Sequence, residues 1–138
     1  MNREEVDALA SAFIEHLSDQ YVLDKDLVLT KRDASATEWA SSKVIDLALE
    51  SPEELWDFIL EVLKRDPPTE VIEVLAAGPL EDYIAKLGER VIDQVEAQAA
   101  IDPKFRSLLG GVWRNGMSDE VWERVQACWD RSGWDGNP

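Results

Sequence analysis

The chain is a succession of short segments in which apolar residues recur every three or four positions, and proline or glycine separates most of these segments. Leu80, Tyr83, Ile84 and Leu87, for example, follow the i, i+3, i+4, i+7 spacing that places side chains on one face of an α-helix. The pattern predicts an all-α fold with about six to eight short helices in a single domain over residues 1–138. Stacked helix pairs of the HEAT type are an alternative arrangement, although no fixed repeat period supports them.

The same spacing locates the individual helices. We expect a helix over Arg3–Leu17, then helices that begin near Thr37, Ser51, Val71, Pro79, Glu89, Asp102 and Ser118. Residues 18–36 stay ambiguous, because the apolar triplets at 21–23 and 27–29 fit either short strands or helix extensions. The Gly-rich tail over 132–138 is expected to fray.

Two start and stop signals are specific enough to predict cap geometry. Ser51-Pro52-Glu53-Glu54 reads as a capping box with proline at the first helical position. In the stretch AAGPLEDYI, Gly78 is expected to end one helix in a left-handed conformation, and Pro79 to begin the next. This stretch is therefore interpreted as a helix–helix joint and not as a catalytic site.

Charge is the strongest indication of function. The chain has 29 acidic and 14 basic residues and a net charge of −15, and residues 50–101 hold thirteen of the acids and four of the bases. Such a surface repels nucleic acid and anionic membranes and attracts a basic protein. We therefore expect a basic protein partner, with no direct nucleic-acid or membrane binding. Acidity that serves solubility alone is the alternative.

A cytoplasmic location is expected. The start, MNREEVDALA, lacks the basic and apolar regions of a signal peptide, and no apolar run approaches the roughly 20 residues of a membrane span. The lone Cys128 cannot form an internal disulfide, which fits a reducing compartment.

Residue types that carry chemistry are scarce. His16 and Cys128 are the only nitrogen or sulfur metal ligands among side chains, and they lie far apart in sequence. No phosphate-binding loop, dinucleotide fingerprint or nucleophile motif is present. We therefore predict no catalytic residues, no metal site and no cofactor, and expect that the protein is not an enzyme.

Carboxylates at helical spacing supply the candidate partner-binding residues. Two sets share a helix face by spacing, namely Glu54, Asp57, Glu61 and Glu89, Asp93, Glu96. Neighbouring like charges on a helix repel by a few tenths of a kcal/mol per pair, a cost that a surface for lysine and arginine would justify.

The tryptophans divide into two groups. Trp134, in the polar tail, is a candidate docking anchor, because interface hot spots favour tryptophan. The remaining tryptophans are expected to close the core, and they are Trp39, Trp56, Trp113, Trp122 and Trp129.

From Glu38 to Gln126 the chain resembles a family of small acidic all-helical bacterial proteins catalogued as a domain of unknown function. The motifs that carry the resemblance are SPEELWDFILEVL, VLAAGPLEDYI and DPKFRSLLGGVWRNGMSDEVWERVQ, in that order. The resemblance implies a compact helical bacterial protein and assigns no active site.

Four functions remain in competition. The leading hypothesis is a non-catalytic protein-binding module of the immunity or antitoxin type, which inhibits a basic, nucleic-acid-directed bacterial toxin. The alternatives are a nucleic-acid mimic that inhibits a defence enzyme, a carboxylate-metal hydrolase, and a housekeeping scaffold.

Overall fold

A computed structural model describes residues 1–18, 21–23, 29–31 and 35–134 of the chain. The described part is helical apart from one short antiparallel strand pair, which confirms the all-α fold class. Its eight α-helices are α1 (Arg3–Leu17), α2 (Glu38–Glu50), α3 (Leu55–Lys64), α4 (Thr69–Leu75), α5 (Glu81–Leu87), α6 (Ile92–Ile101), α7 (Pro103–Leu109) and α8 (Asp119–Cys128).

The strand pair lies between α1 and α2. Strand β1 (Tyr21–Leu23) pairs antiparallel with β2 (Leu29–Lys31), with Val22 opposite Thr30. The strand alternative is therefore the correct one for residues 21–23, and also for Leu29, the last residue of the second triplet and the first of β2. Residues 27 and 28 of that triplet lie outside the described residues, as do residues 135–138 of the predicted frayed tail.

The start signal at Ser51 does mark the start of helical structure, but without the predicted cap. Pro52 begins a 3₁₀ turn over Pro52–Glu54 that leads into α3, but the Ser51 side chain makes no cap hydrogen bond. A capping box does form at the start of α1, where Asn2 Oδ1 accepts from the Glu5 amide at 2.8 Å. Because a capping box needs extended backbone at the cap residue, the sequence motif alone was insufficient at Ser51.

The Gly78-Pro79 pair does not break the helix in the predicted way. A single π-helical turn over Ala76–Leu80 joins α4 to α5, so residues 69–87 are helical throughout. The wider turn accommodates Pro79, which has no amide hydrogen for an ordinary helical bond. The left-handed cap predicted for Gly78 is therefore wrong; among the described glycines, the positive φ belongs to Gly88 (φ 47°), which ends α5.

The buried apolar residues form one cluster that runs through all eight helices. The apolar stripe predicted from its helical spacing lies in the core, since Leu80, Tyr83, Ile84 and Leu87 are all buried. Helix α1 packs on α2 and α3, α6 packs on α7 and α8, and α7 also contacts α3 and α4. HEAT-like stacking of helix pairs stays a prediction. Helices that are separated by one other helix along the chain contact each other both in a HEAT-like stack and in an ordinary helical domain.

Three of the five tryptophans that were expected in the core pack against it. Trp56 stacks on Tyr83 with ring centroids 5.3 Å apart and meets Phe105 edge-on, and Trp122 meets Trp129 edge-on. The expectation is wrong for Trp39 and Trp113, which are exposed. On α2 the core stripe consists of Ala40, Val44, Leu47 and Ala48, a complete helical face that leaves Trp39 outside it.

Candidate partner-binding surface

The first predicted carboxylate set does not form a common outward surface. Glu61 is only 7% exposed, and its carboxylate accepts hydrogen bonds from Arg3 of α1 and, at 2.8 Å, from Arg65 Nε. Glu54 pairs with the amino group of Met1. Asp57 alone of the three is exposed. Packing of α1 beside α3 therefore turns two of these carboxylates into links between chain segments.

The second set remains nearer to the surface but is tied to α8. Glu89 lies in a 3₁₀ turn before α6, so it leaves the helix face on which Asp93 and Glu96 lie. Arg124 of α8 donates to both of these carboxylates, at 3.0 Å from its Nε to Glu96. The hydrogen bond from Arg124 holds the pKa of Glu96 below its usual value. The repulsion between Asp93 and Glu96 is thus offset by Arg124, which lies 28 residues after Glu96 in the sequence.

Trp134 packs against its own chain. Its indole Nε1 donates to the Ser107 carbonyl at 2.7 Å, and its ring covers Gly111 so closely that a Cβ there would lie 2.5 Å from it. Trp134 is half-buried. The proposed docking role for this residue stays a prediction, and the structure gives the indole an intramolecular partner.

Exposed apolar side chains meet instead between α2 and the end of α4. A groove of about 170 Å³ runs between α2 and the α4–α5 helix, with Ser41, Val44 and Ile45 on one wall and Val74, Gly78, Pro79 and Asp82 on the other. Ile45 is 59% exposed, and Leu49, one helical turn further along α2, is also exposed. We define the α2 groove as the two walls together with Phe13 of α1, which also lines it; Leu49 lies beside the groove and does not line it. Sequence reasoning missed it, although Ile45 and Leu49 lie outside the complete core stripe of α2, which was the available signal.

The lining of the α2 groove includes one carboxylate, that of Asp82. Two more lie on the helices that form its walls: Glu70 lies one turn before Val74 on α4, and Glu38 lies two turns before Ile45 on α2. Within the part of the chain that the structure describes, these three carboxylates form no ion pair. Lys86, the nearest cation along α5, donates to the carbonyl of Ala48. The groove is therefore mainly apolar, with one unpaired carboxylate in its lining and two more on the helices beside it.

An exposed tryptophan lies in a loop that is hydrogen-bonded to the start of α5. Trp113 is 73% exposed in the loop before α8. Its backbone amide donates to Glu81 at 2.9 Å, and Asn115 Nδ2 donates to the same carboxylate at 3.3 Å. Glu81 therefore fixes the loop that carries Trp113, and its position in AAGPLEDYI has a structural explanation.

A larger cavity of about 420 Å³ lies where the end of α3 approaches α7, lined mainly by apolar residues. Its polar residues are Ser107 and an ion pair between Asp66 and Lys104 at the rim.

Across residues 1–18, 21–23, 29–31 and 35–134, no three side chains of His, Cys, Asp or Glu are grouped as a metal site requires.

Of the helices described, none combines the length and apolar character needed to cross a membrane.

Comparison with known proteins places the chain in a family without assigning an activity. No curated protein matches, and no solved structure matches. A family model described as "Family of unknown function (DUF6869)" matches residues 29–133, which contains the whole range over which the sequence motifs carried the resemblance. The chain therefore belongs to the family of unknown function DUF6869.

Proposed function

We propose that this protein is a non-catalytic binding module for a basic protein, of the immunity or antitoxin type, which covers the cationic surface of a nucleic-acid-directed toxin. The observation that carries the proposal is an apolar groove whose lining includes the unpaired carboxylate of Asp82, in a chain of net charge −15. Opposite charge accelerates encounter, and burial of apolar side chains slows dissociation.

The placement of the carboxylates favours binding over hydrolysis. A carboxylate-metal hydrolase needs several acids that converge on one cavity. In the described residues the acids instead cap helices, pair with arginines as Asp93 does, or project from helix faces as Asp57 does. Binding to a basic protein needs only such projecting charges.

The experiment is affinity capture from the organism that encodes the chain, with the protein immobilised and a second resin bearing an unrelated protein of equal net charge. We expect a basic protein on the first resin that is absent from the second and elutes with salt. The purified partner should degrade or bind nucleic acid, and this protein should inhibit that activity. Recovery of the same proteins on both resins would show that this protein binds basic proteins non-specifically, through its charge alone. That result would refute the proposal.

The same purified partner distinguishes the proposed toxin inhibitor from the alternative, a nucleic-acid mimic. A mimic occupies the nucleic-acid channel of a defence enzyme, so added duplex DNA should displace it competitively. A toxin inhibitor of the immunity type instead protects cells that express the toxin, which a growth assay measures.

A further inference from the structure

We propose that the α2 groove is the docking site for an amphipathic basic helix of the protein partner, with an apolar side chain of that helix inserted over Gly78. The inference rests on the proposed function and assigns its binding site. Insertion of an amphipathic helix into an apolar groove is a recurrent mode of recognition, in which apolar anchors supply contact and flanking charges supply orientation.

Gly78 is the first observation. Apart from its chain neighbours, a Cβ built at this residue meets no atom within 4 Å, and its φ is not in the left-handed region. The adjoining Pro79 gives glycine one role here, because a Cβ directly before proline disfavours helical backbone. Glycine also keeps the α2 groove open, because Gly78 lines that groove at the π turn. Single π turns within helices are frequent at functional sites.

The facing wall is the second observation. Ile45 lines the groove opposite Val74, and both remain exposed in the free protein. Leu49 extends the apolar line by one turn of α2. An isolated exposed apolar residue needs no explanation, but apolar side chains grouped around a concave surface are typical of a binding site.

Charge identifies the occupant. Asp82 lines the apolar groove, and Glu38 and Glu70 lie on the helices of its two walls. Lys86 donates to the carbonyl of Ala48. A partner helix with lysine or arginine beside its apolar stripe complements this pattern. A second copy of the chain does not, because it would bring a further net charge of −15 to the same surface.

The test uses two fluorescein-labelled peptides of about 18 residues, or five helical turns. Both contain the same number of leucines and lysines. In the first, leucines follow the i, i+3, i+4, i+7 spacing; in the second they are distributed around the helix. Anisotropy titrations at two salt concentrations should give tighter binding of the first peptide, since charge and composition are equal and only the apolar stripe differs.

Two variants place the binding in the groove. Gly78→Leu fills the space at the π turn, and Ile45→Asp introduces a charge into the apolar wall. Each should weaken the first peptide roughly tenfold, as expected for the loss of one buried anchor. Because Ile45→Asp makes the protein more acidic, weaker binding of a basic peptide cannot result from reduced attraction.

Matched controls carry the same changes elsewhere. Ala77→Leu lies on the same π turn but does not line the groove, and Ile101→Asp lies on α6, where the side chain is 79% exposed. Both should bind the first peptide like the wild type. Circular dichroism checks that every variant folds.

Three outcomes would overturn the assignment. Equal binding of the two peptides would show attraction by charge alone, which contradicts the groove while leaving the proposed function intact. Peptide preference that survives Gly78→Leu and Ile45→Asp would place the site elsewhere. A dimer in sedimentation analysis that Gly78→Leu dissociates would assign the groove to a second copy. Failure of affinity capture would refute the proposed function separately, since that experiment does not depend on the groove.

Discussion

At the scale of single residues, neighbours in space decide what a carboxylate does. Glu61 and Asp57 are one helical turn apart on α3, yet Glu61 is buried between two arginines whereas Asp57 is exposed. Arg3 and Arg65 keep contact with solvent, so the network is a partly buried link between α1 and α3. Such links are costly to break from one side, because the remaining charges lose their partner.

Glu61→Gln should therefore lower the free energy of unfolding by about 1–3 kcal/mol, through loss of charge-assisted hydrogen bonds to Arg3 and Arg65. Asp57→Asn is the matched control and should change stability by no more than about 0.5 kcal/mol. Urea denaturation measures both variants. Equal denaturation midpoints for Glu61→Gln and Asp57→Asn would show that the hydrogen bonds from the two arginines to Glu61 do not stabilise the α1–α3 contact.

Gly111 presents a steric case. A Cβ at this position would lie 2.5 Å from the Trp134 ring, and the indole also donates to Ser107. Gly111→Ala should displace Trp134 and cost about 1–3 kcal/mol, the usual cost of overpacking. Gly116→Ala is the control, because a Cβ there meets nothing within 4 Å. The midpoint of urea denaturation reports the cost, and a Gly111→Ala variant as stable as Gly116→Ala would show that Trp134 does not hold this contact.

At the scale of elements, the two glycines that flank α5 have opposite roles. Gly78 has room for a side chain and no left-handed conformation, whereas Gly88 has a φ of 47°. The sequence suggested a left-handed cap at Gly78, because glycine before proline commonly ends a helix. The burial of Leu75, Ala76 and Leu80 on one continuous face favours a π turn instead.

Alanine at the two positions should accordingly have unequal effects. Gly78→Ala should change stability by less than about 1 kcal/mol, because restriction of the unfolded chain favours alanine whereas a Cβ directly before Pro79 disfavours helical backbone. Gly88→Ala should destabilise the protein by about 1–2 kcal/mol, the cost of a left-handed conformation for a residue with a Cβ. Thermal unfolding of both variants provides the measurement. A loss of stability at Gly78 larger than that at Gly88 would contradict the continuous helix over residues 69–87.

At the scale of the whole molecule, burial acts on groups that ionise at alkaline pH. Burial raises the pKa of the Tyr83 phenol above its ordinary value of 10.0, with Asp57 adding to the effect, and burial raises the pKa of the Cys128 thiol above 9.0. A raised pKa in the folded state stabilises the fold below the pKa of the unfolded chain. That stabilisation is lost as pH rises, since the unfolded chain ionises first.

Stability should therefore decline from pH 8 to about pH 11, as unfolding releases the Tyr83 and Cys128 protons. Tyr83→Phe removes the phenol and should make the decline shallower, although it also removes a hydrogen bond to Gln94. The comparison is therefore between slopes of unfolding free energy against pH, not between midpoints. Identical slopes for wild type and variant would exclude Tyr83 as a source of the alkaline loss.

Most of the helices could be predicted from the sequence, because a helix is specified by local spacing and local end signals. Helix α1 has the predicted bounds, and the predicted apolar stripe Leu80, Tyr83, Ile84 and Leu87 is buried. Net charge and the lack of a catalytic motif are likewise properties of the sequence alone. These features depend on residues a few positions apart.

The tertiary structure decided which side chains remain exposed after the helices pack and which of them lie together. Glu61 meets an arginine 58 residues away, Asp93 and Glu96 share Arg124, and Trp134 covers Gly111. None of these contacts has a local signature, because the partners come from different helices or loops. The same holds for the α2 groove: α2 alone shows only that Ile45 is off the core stripe. The groove exists because the π turn at Gly78 packs beside α2 and leaves space there.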